Sequence, residues 1–141
     1  MTDVTMRTIT QTIRIDAAPE VVYQYWVDPV RMREWWGAKA ELDARPGGVC
    51  RVEMEPGPVM AGEYVELVPH ERVVFTFGWE QHEPGTLLAP GSTRVEVTLQ
   101  PDGDATILTL VHSDMPDSHA DDHAKGWAHY LGVLAEQFPN S

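Results

Sequence analysis

Cysteine occurs once in the 141 residues, at Cys50, so no disulfide can form within the chain. A lone thiol suits a reducing compartment, and the cytoplasm is the expected location. Basic side chains are scarce as well. Ten Lys and Arg stand against 22 Asp and Glu, a formal net charge of -12. The shortage is sharpest in residues 71–141, where 3 bases face 11 acids. Such a surface repels phosphate backbones and anionic bilayers, so neither nucleic acid nor a membrane is an expected partner. Long apolar runs are missing too: none approaches the ~20 residues of a membrane-crossing helix. Met1-Thr2-Asp3-Val4 offers neither the basic nor the apolar part of a secretory signal. Gly47-Gly48 and Pro56-Gly57-Pro58 lack the spacing of a phosphate-binding loop and read as turns.

What is present describes one globular domain spanning residues 1–141. The hydrophobic fraction is 43%, and the length suits a single core. Residues 7–15 alternate, with Ile9, Ile13 and Ile15 on one face, as in a half-buried strand. Pro19 and Glu20 open a helix that carries Val22, Tyr23, Trp26 and Val27 at three- and four-residue spacings. Asp28-Pro29 breaks it, and a second short helix is expected from Val30 to Trp35, capped by Gly37.

Strand-like segments follow. Lys39 to Ala44 comes first, then Val49 to Met54 with Cys50, Val52 and Met54 on one side. Met60 to Val68 and Arg72 to Trp79 flank the turn Pro69-His70-Glu71, across which Glu66 and Arg72 can pair. Turns are also expected at Arg45-Pro46-Gly47-Gly48 and Glu55-Pro56-Gly57-Pro58, and a long loop over residues 80–92. Val95, Val97 and Leu99 share a face of the next strand, and Leu108, Leu110 and His112 a face of the last. A helix over about residues 118–137, capped by Asp117 or Ser118, buries Ala120, Ala124, Trp127, Leu131, Leu134 and Phe138. Strand, two helices, about six antiparallel strands and a long helix make an α+β fold. Only the terminal helix is long enough to cover the sheet. A sheet curved around it parts from it at one end and leaves a cavity.

Several stretches together resemble the family of the activator of Hsp90 ATPase. They include Ala17-Ala18-Pro19-Glu20-Val21-Val22-Tyr23, Met32-Arg33-Glu34-Trp35-Trp36-Gly37 and Gly62-Glu63-Tyr64-Val65-Glu66. Pro69-His70-Glu71-Arg72-Val73-Val74-Phe75-Thr76, Leu108-Thr109-Leu110-Val111-His112-Ser113 and Gly126-Trp127 continue the pattern in order. That family lies within the START-like, Bet v 1-like helix-grip superfamily (SRPBCC). The resemblance implies a curved seven-stranded antiparallel sheet wrapped around the long C-terminal helix, with two short helices between strands 1 and 2. It also implies a deep pocket between sheet and helix for lipids, polyketides, hormones or other apolar molecules. Some related proteins are cyclases, aromatases or hydrolase-like enzymes. Hsp90-activating members in eukaryotes carry a separate N-terminal domain, which is not expected in these 141 residues.

Aromatic walls around a few polar groups are what an apolar pocket needs. The expected ligand-binding residues are Trp26, Met54, Tyr64, Phe75, Phe77, His112, Trp127 and Leu131, with Trp35 and Trp36 closing one end. His112 is the expected inward polar group, able to hydrogen-bond a ligand or to act as acid or base. A structural histidine bonded to its neighbours is the competing reading. His119 and His123 lie four apart, but the residues between them, Ala120, Asp121 and Asp122, lack the zinc-protease arrangement, and no metal or cofactor is expected. Cys50 is expected to be buried and inert.

The leading expectation is therefore non-catalytic binding of a small hydrophobic or amphipathic ligand between sheet and helix. One alternative is a cavity-based enzyme (cyclase, aromatase or hydrolase-like) that uses His112 as acid or base. The other is a protein-interaction or chaperone-associated module. A homodimer is expected on the general ground that two-fold pairs are the commonest assemblies.

Overall fold

The computed structural model describes residues 6–54, 58–80 and 89–138. Most of the turn expected at Glu55-Pro56-Gly57-Pro58, most of the expected loop over 80–92 and the first residues of the chain lie outside them. Strand β1 (Met6–Ile15) leads into helices α1 (Pro19–Val27) and α2 (Pro29–Met32). Six strands follow: β2 (Lys39–Leu42), β3 (Val49–Glu53), β4 (Val59–Val68), β5 (Arg72–Phe77), β6 (Thr93–Asp102) and β7 (Ala105–Pro116). Helix α3 (Asp117–Glu136) ends the fold. All neighbouring strands are antiparallel, in the order β1-β7-β6-β5-β4-β3-β2.

The chain forms these elements for local reasons. Pro19 occupies the start of α1, where its missing amide hydrogen has no bond to lose. Asp28 ends α1 and caps α2, its carboxylate accepting from the Val30 amide at 2.9 Å. The second helix stops at Met32, earlier than the expected Trp35. Trp35 is turned inward instead, and its indole donates to the Tyr25 carbonyl at 2.9 Å. Gly37 takes φ +83 just beyond, as the cap expectation required.

Strand alternation is followed closely. Ile9 and Ile15 of β1, Cys50 and Val52 of β3, and Val95, Val97 and Leu99 of β6 are all buried. Strand β5 ends at Phe77 rather than at Trp79, which forms an isolated bridge to Met60. Near the end of β7, two residues (Ser113 and Asp114) oppose one on β1 (Thr8), and Asp114 takes φ +63. This bulge bends the strand just after His112, and an aspartate tolerates the left-handed conformation it needs. On the outer face Glu66 and Arg72 pair at 2.6 Å, and Glu96 extends the row to Arg72 and Arg94. Half-exposed pairs of this kind contribute little to stability.

Neither Asp117 nor Ser118 caps α3, contrary to expectation. Pro116 holds the cap position without a side-chain bond, and Asp117 sits inside the first turn facing Arg7. The helix buries Ala120, Trp127, Leu131 and Leu134 against the sheet face that carries Phe75, Phe77, Leu110 and His112. The expected seven-stranded helix-grip arrangement is therefore the observed one. No helix among the described residues is long and apolar enough to cross a membrane.

Candidate functional site

Sheet and helix separate where the C-terminal end of β5 faces the middle of α3. A cavity of about 280 Å³ opens there. The sheet side and the segments beside it supply Trp36, Met54, Pro58, Phe77 and Trp79; α3 supplies Asp122, His123, Gly126, Trp127 and Tyr130. Trp36 enters because α2 ends early and the chain turns back across the sheet. Its ring stacks on Phe77 with centroids 6.2 Å apart and meets Trp127 at 5.1 Å. Phe77 touches Trp79 edge-on at 5.1 Å. These contacts fix the walls, because large rings locked against one another have few alternative rotamers.

Behind the walls lies a polar relay. Trp127 donates its indole hydrogen to His112 Nδ1 at 3.0 Å, and His112 Nε2 meets Thr93 Oγ1 at 2.8 Å. Thr93 Oγ1 donates in turn to the Phe77 carbonyl at 2.8 Å. An indole nitrogen can only donate, so Nδ1 of His112 must be the acceptor and the ring proton must sit on Nε2. The imidazole is thereby held neutral in one tautomer with both nitrogens bonded. Burial drives its pKa down to about 3, and nearby His123 pushes in the same direction.

A second Trp–His pair repeats the device. Trp79 donates to His123 Nε2 at 3.1 Å, which leaves Nδ1 of His123 to donate to the His119 carbonyl at 2.9 Å. Burial lowers the pKa of His123 too. Both of its nitrogens are engaged within the protein, so the i,i+4 histidines do not present a pair of ligands to a metal. Among the described residues no three His, Cys, Asp or Glu side chains cluster as a metal site.

Of the residues expected to bind ligand, Met54, Phe77 and Trp127 form cavity wall. His112 lies directly behind Phe77 and Trp127. Trp26 and Phe75 form the next layer, with Trp26 6.4 Å from Trp127 and Phe75 6.2 Å from Trp36. Tyr64 packs edge-on against Phe75, and its hydroxyl donates to the Trp26 carbonyl at 2.8 Å. Leu131 is buried in the core, one turn beyond Trp127 on α3. Cys50 is fully buried, and burial pushes its thiol up to about 12, which makes it inert.

Seven wall residues lie outside the expected ligand-binding set: Trp36, which was expected to close one end, Pro58, Trp79, Asp122, His123, Gly126 and Tyr130. Asp122, Gly126 and Tyr130 have a signal in the sequence. They recur every four residues, forming a row that flanks the apolar stripe of α3.

An antiparallel sheet gripping a C-terminal helix, with a cavity opened between them, defines a helix-grip protein. Residues 16–138 match the model described as activator of Hsp90 ATPase homolog 1-like protein, and the chain belongs to that family. No curated protein matches it. Among solved structures, an AHSA1-like protein of Rhizobium etli is 34% identical with a TM-score of 0.72. The match covers 94% of this chain and 81% of that one. DynU16, from the dynemicin biosynthetic locus, is 24% identical with a TM-score of 0.78 over 92% of this chain, which spans only 46% of that protein. The Aha1 dimer of Colwellia psychrerythraea is 18% identical with a TM-score of 0.79, covering 92% of this chain and 94% of that one. At such identities the last two show a common fold.

Proposed function

We propose that this protein binds a small apolar or amphipathic molecule in the cavity between β5 and α3 and does not transform it. The observation that carries the reading is a space of about 280 Å³ walled by five aromatic side chains, Met54 and Pro58. An apolar cavity of about 150 Å³ admits one benzene ring, so a body of one or two rings suits this volume. Binding is favoured over acid–base chemistry by the histidines. Each uses one ring nitrogen to accept an indole hydrogen, and burial lowers the pKa of both. A general base near neutral pH needs a free lone pair within reach of the substrate.

Native mass spectrometry of freshly purified protein tests this reading. A copurified small molecule, or an added naphthalene-sized one, should persist on the folded ion and be lost in Gly126→Leu, whose side chain fills the space. Equal retention by wild type and Gly126→Leu would refute it.

We further infer that two copies associate as a homodimer and that the protein works in a reducing cytoplasm. The first is in keeping with the dimeric Colwellia structure of the same fold, the second with a single buried thiol.

A further inference from the structure

Among the described residues the cavity has one charged wall residue, Asp122, and no basic one. Asp122 stands exposed at the mouth. Its neighbours Asp117 and Asp121 are engaged by Arg7, but among the described residues no Lys or Arg lies within ion-pair distance of Asp122. A π-system is negative over its face and positive at its edge. The most positive edges of Trp79 and Trp127, their N–H groups, point at His123 and His112. The cavity therefore meets the remainder of each indole, together with Trp36, Phe77 and Tyr130. His123 adds no positive charge, because its Nε2 accepts a hydrogen bond from Trp79. An ammonium group beside this carboxylate is attracted by it and by any ring face it meets, whereas an anion is repelled by the carboxylate.

We propose that the cavity selects cationic amphiphiles, with a one- or two-ring body against the aromatic walls and an ammonium group directed at Asp122. This inference rests on the binding reading above and narrows its ligand class. The molecule's net charge of -12 acts in the same direction, raising the local concentration of cations before contact.

The test is calorimetric titration at pH 7 with three probes of one shape: 2-(1-naphthyl)ethylamine, 2-(1-naphthyl)ethanol and 1-naphthylacetate. About 0.15 M salt shortens the Debye length to roughly 8 Å, so that distant charges contribute little. The ammonium probe should bind about tenfold more tightly than the alcohol, and the carboxylate more weakly than either. In Asp122→Asn the ammonium-to-alcohol affinity ratio should fall to near one. Gly126→Leu should abolish binding of all three, because a Cβ at Gly126 meets nothing within 4 Å and points into open space. A carboxylate bound as tightly as the ammonium would overturn the charge selection alone. So would an ammonium preference that survives Asp122→Asn. In either case alcohol binding that Gly126→Leu blocks would leave the cavity reading standing. Failure of wild type to bind any of the three would overturn both.

Discussion

From the sequence His112 can be read either as a ligand-binding or acid–base group or as a structural one, and in the structure both its ring nitrogens are bonded. Its inward direction is legible from alternation with Leu108 and Leu110. Its partners are not, because Thr93 and Trp127 lie 19 and 15 residues away and meet it only through the fold. The relay has a consequence for pH. The folded protein holds the ring neutral, with a pKa of about 3 against 6.5 in the unfolded chain. The unfolded chain therefore takes up a proton first as pH falls, and stability is lost from about pH 6.5 downward until the folded ring also titrates. Between pH 7 and pH 5 this one group should cost about 2 kcal/mol, and His123 acts in the same direction. Urea unfolding at the two pH values should show that loss in wild type. His112→Gln should flatten it, since an amide can still accept from Trp127 and donate to Thr93 but does not titrate in this range. Equal losses in both proteins would exclude His112 as the source.

At the scale of elements, what could be read from the sequence was what repeats locally. Period-two alternation in β1, β3, β6 and β7 marks buried faces correctly, because a strand's side chains have only two directions to take. The apolar stripe of α3 was equally plain. What could not be read depends on contacts between elements. Helix α2 stops early because the Trp35 indole finds the Tyr25 carbonyl, and Trp79 leaves β5 to reach His123. Of the expected set, Met54, Phe77 and Trp127 line the cavity while Trp26, Tyr64, Phe75 and Leu131 lie outside its wall, and the α3 row of Asp122, Gly126 and Tyr130 joins the wall. Two glycines separate these effects. A Cβ at Gly62 on β4 would lie 1.9 Å from the Thr76 carbonyl oxygen on β5, whereas one at Gly126 meets nothing. Gly62→Ala should therefore force the strands apart and destabilise the fold by about 1–3 kcal/mol. Gly126→Ala should stabilise it by about 0.5–1 kcal/mol through helix propensity. Chemical denaturation of the two variants should give opposite signs, and a destabilised Gly126→Ala would mean that the cavity wall is already packed shut.

For the whole molecule, charge governs association. Among the described residues, acids already hold seven of the ten Lys and Arg in ion pairs, which leaves fewer cations to neutralise a partner. Two protomers approaching each other each carry a net -12. At about 0.01 M salt the Debye length is roughly 30 Å, comparable to the width of the domain, and nearly all of this repulsion is felt. At about 0.15 M it falls to roughly 8 Å, and only charges at the contact itself still oppose each other. Internal ion pairs 2.6–3.5 Å long lie well inside either length and should survive the change. Dimerisation should therefore strengthen with salt. Sedimentation equilibrium should give a weight-average mass near 15.8 kDa at the lower ionic strength, rising toward twice that at the higher one. A mass that falls as salt is added would mean that the protomers are joined by opposite charges. A single species of 15.8 kDa at every concentration and ionic strength would leave the homodimer without support.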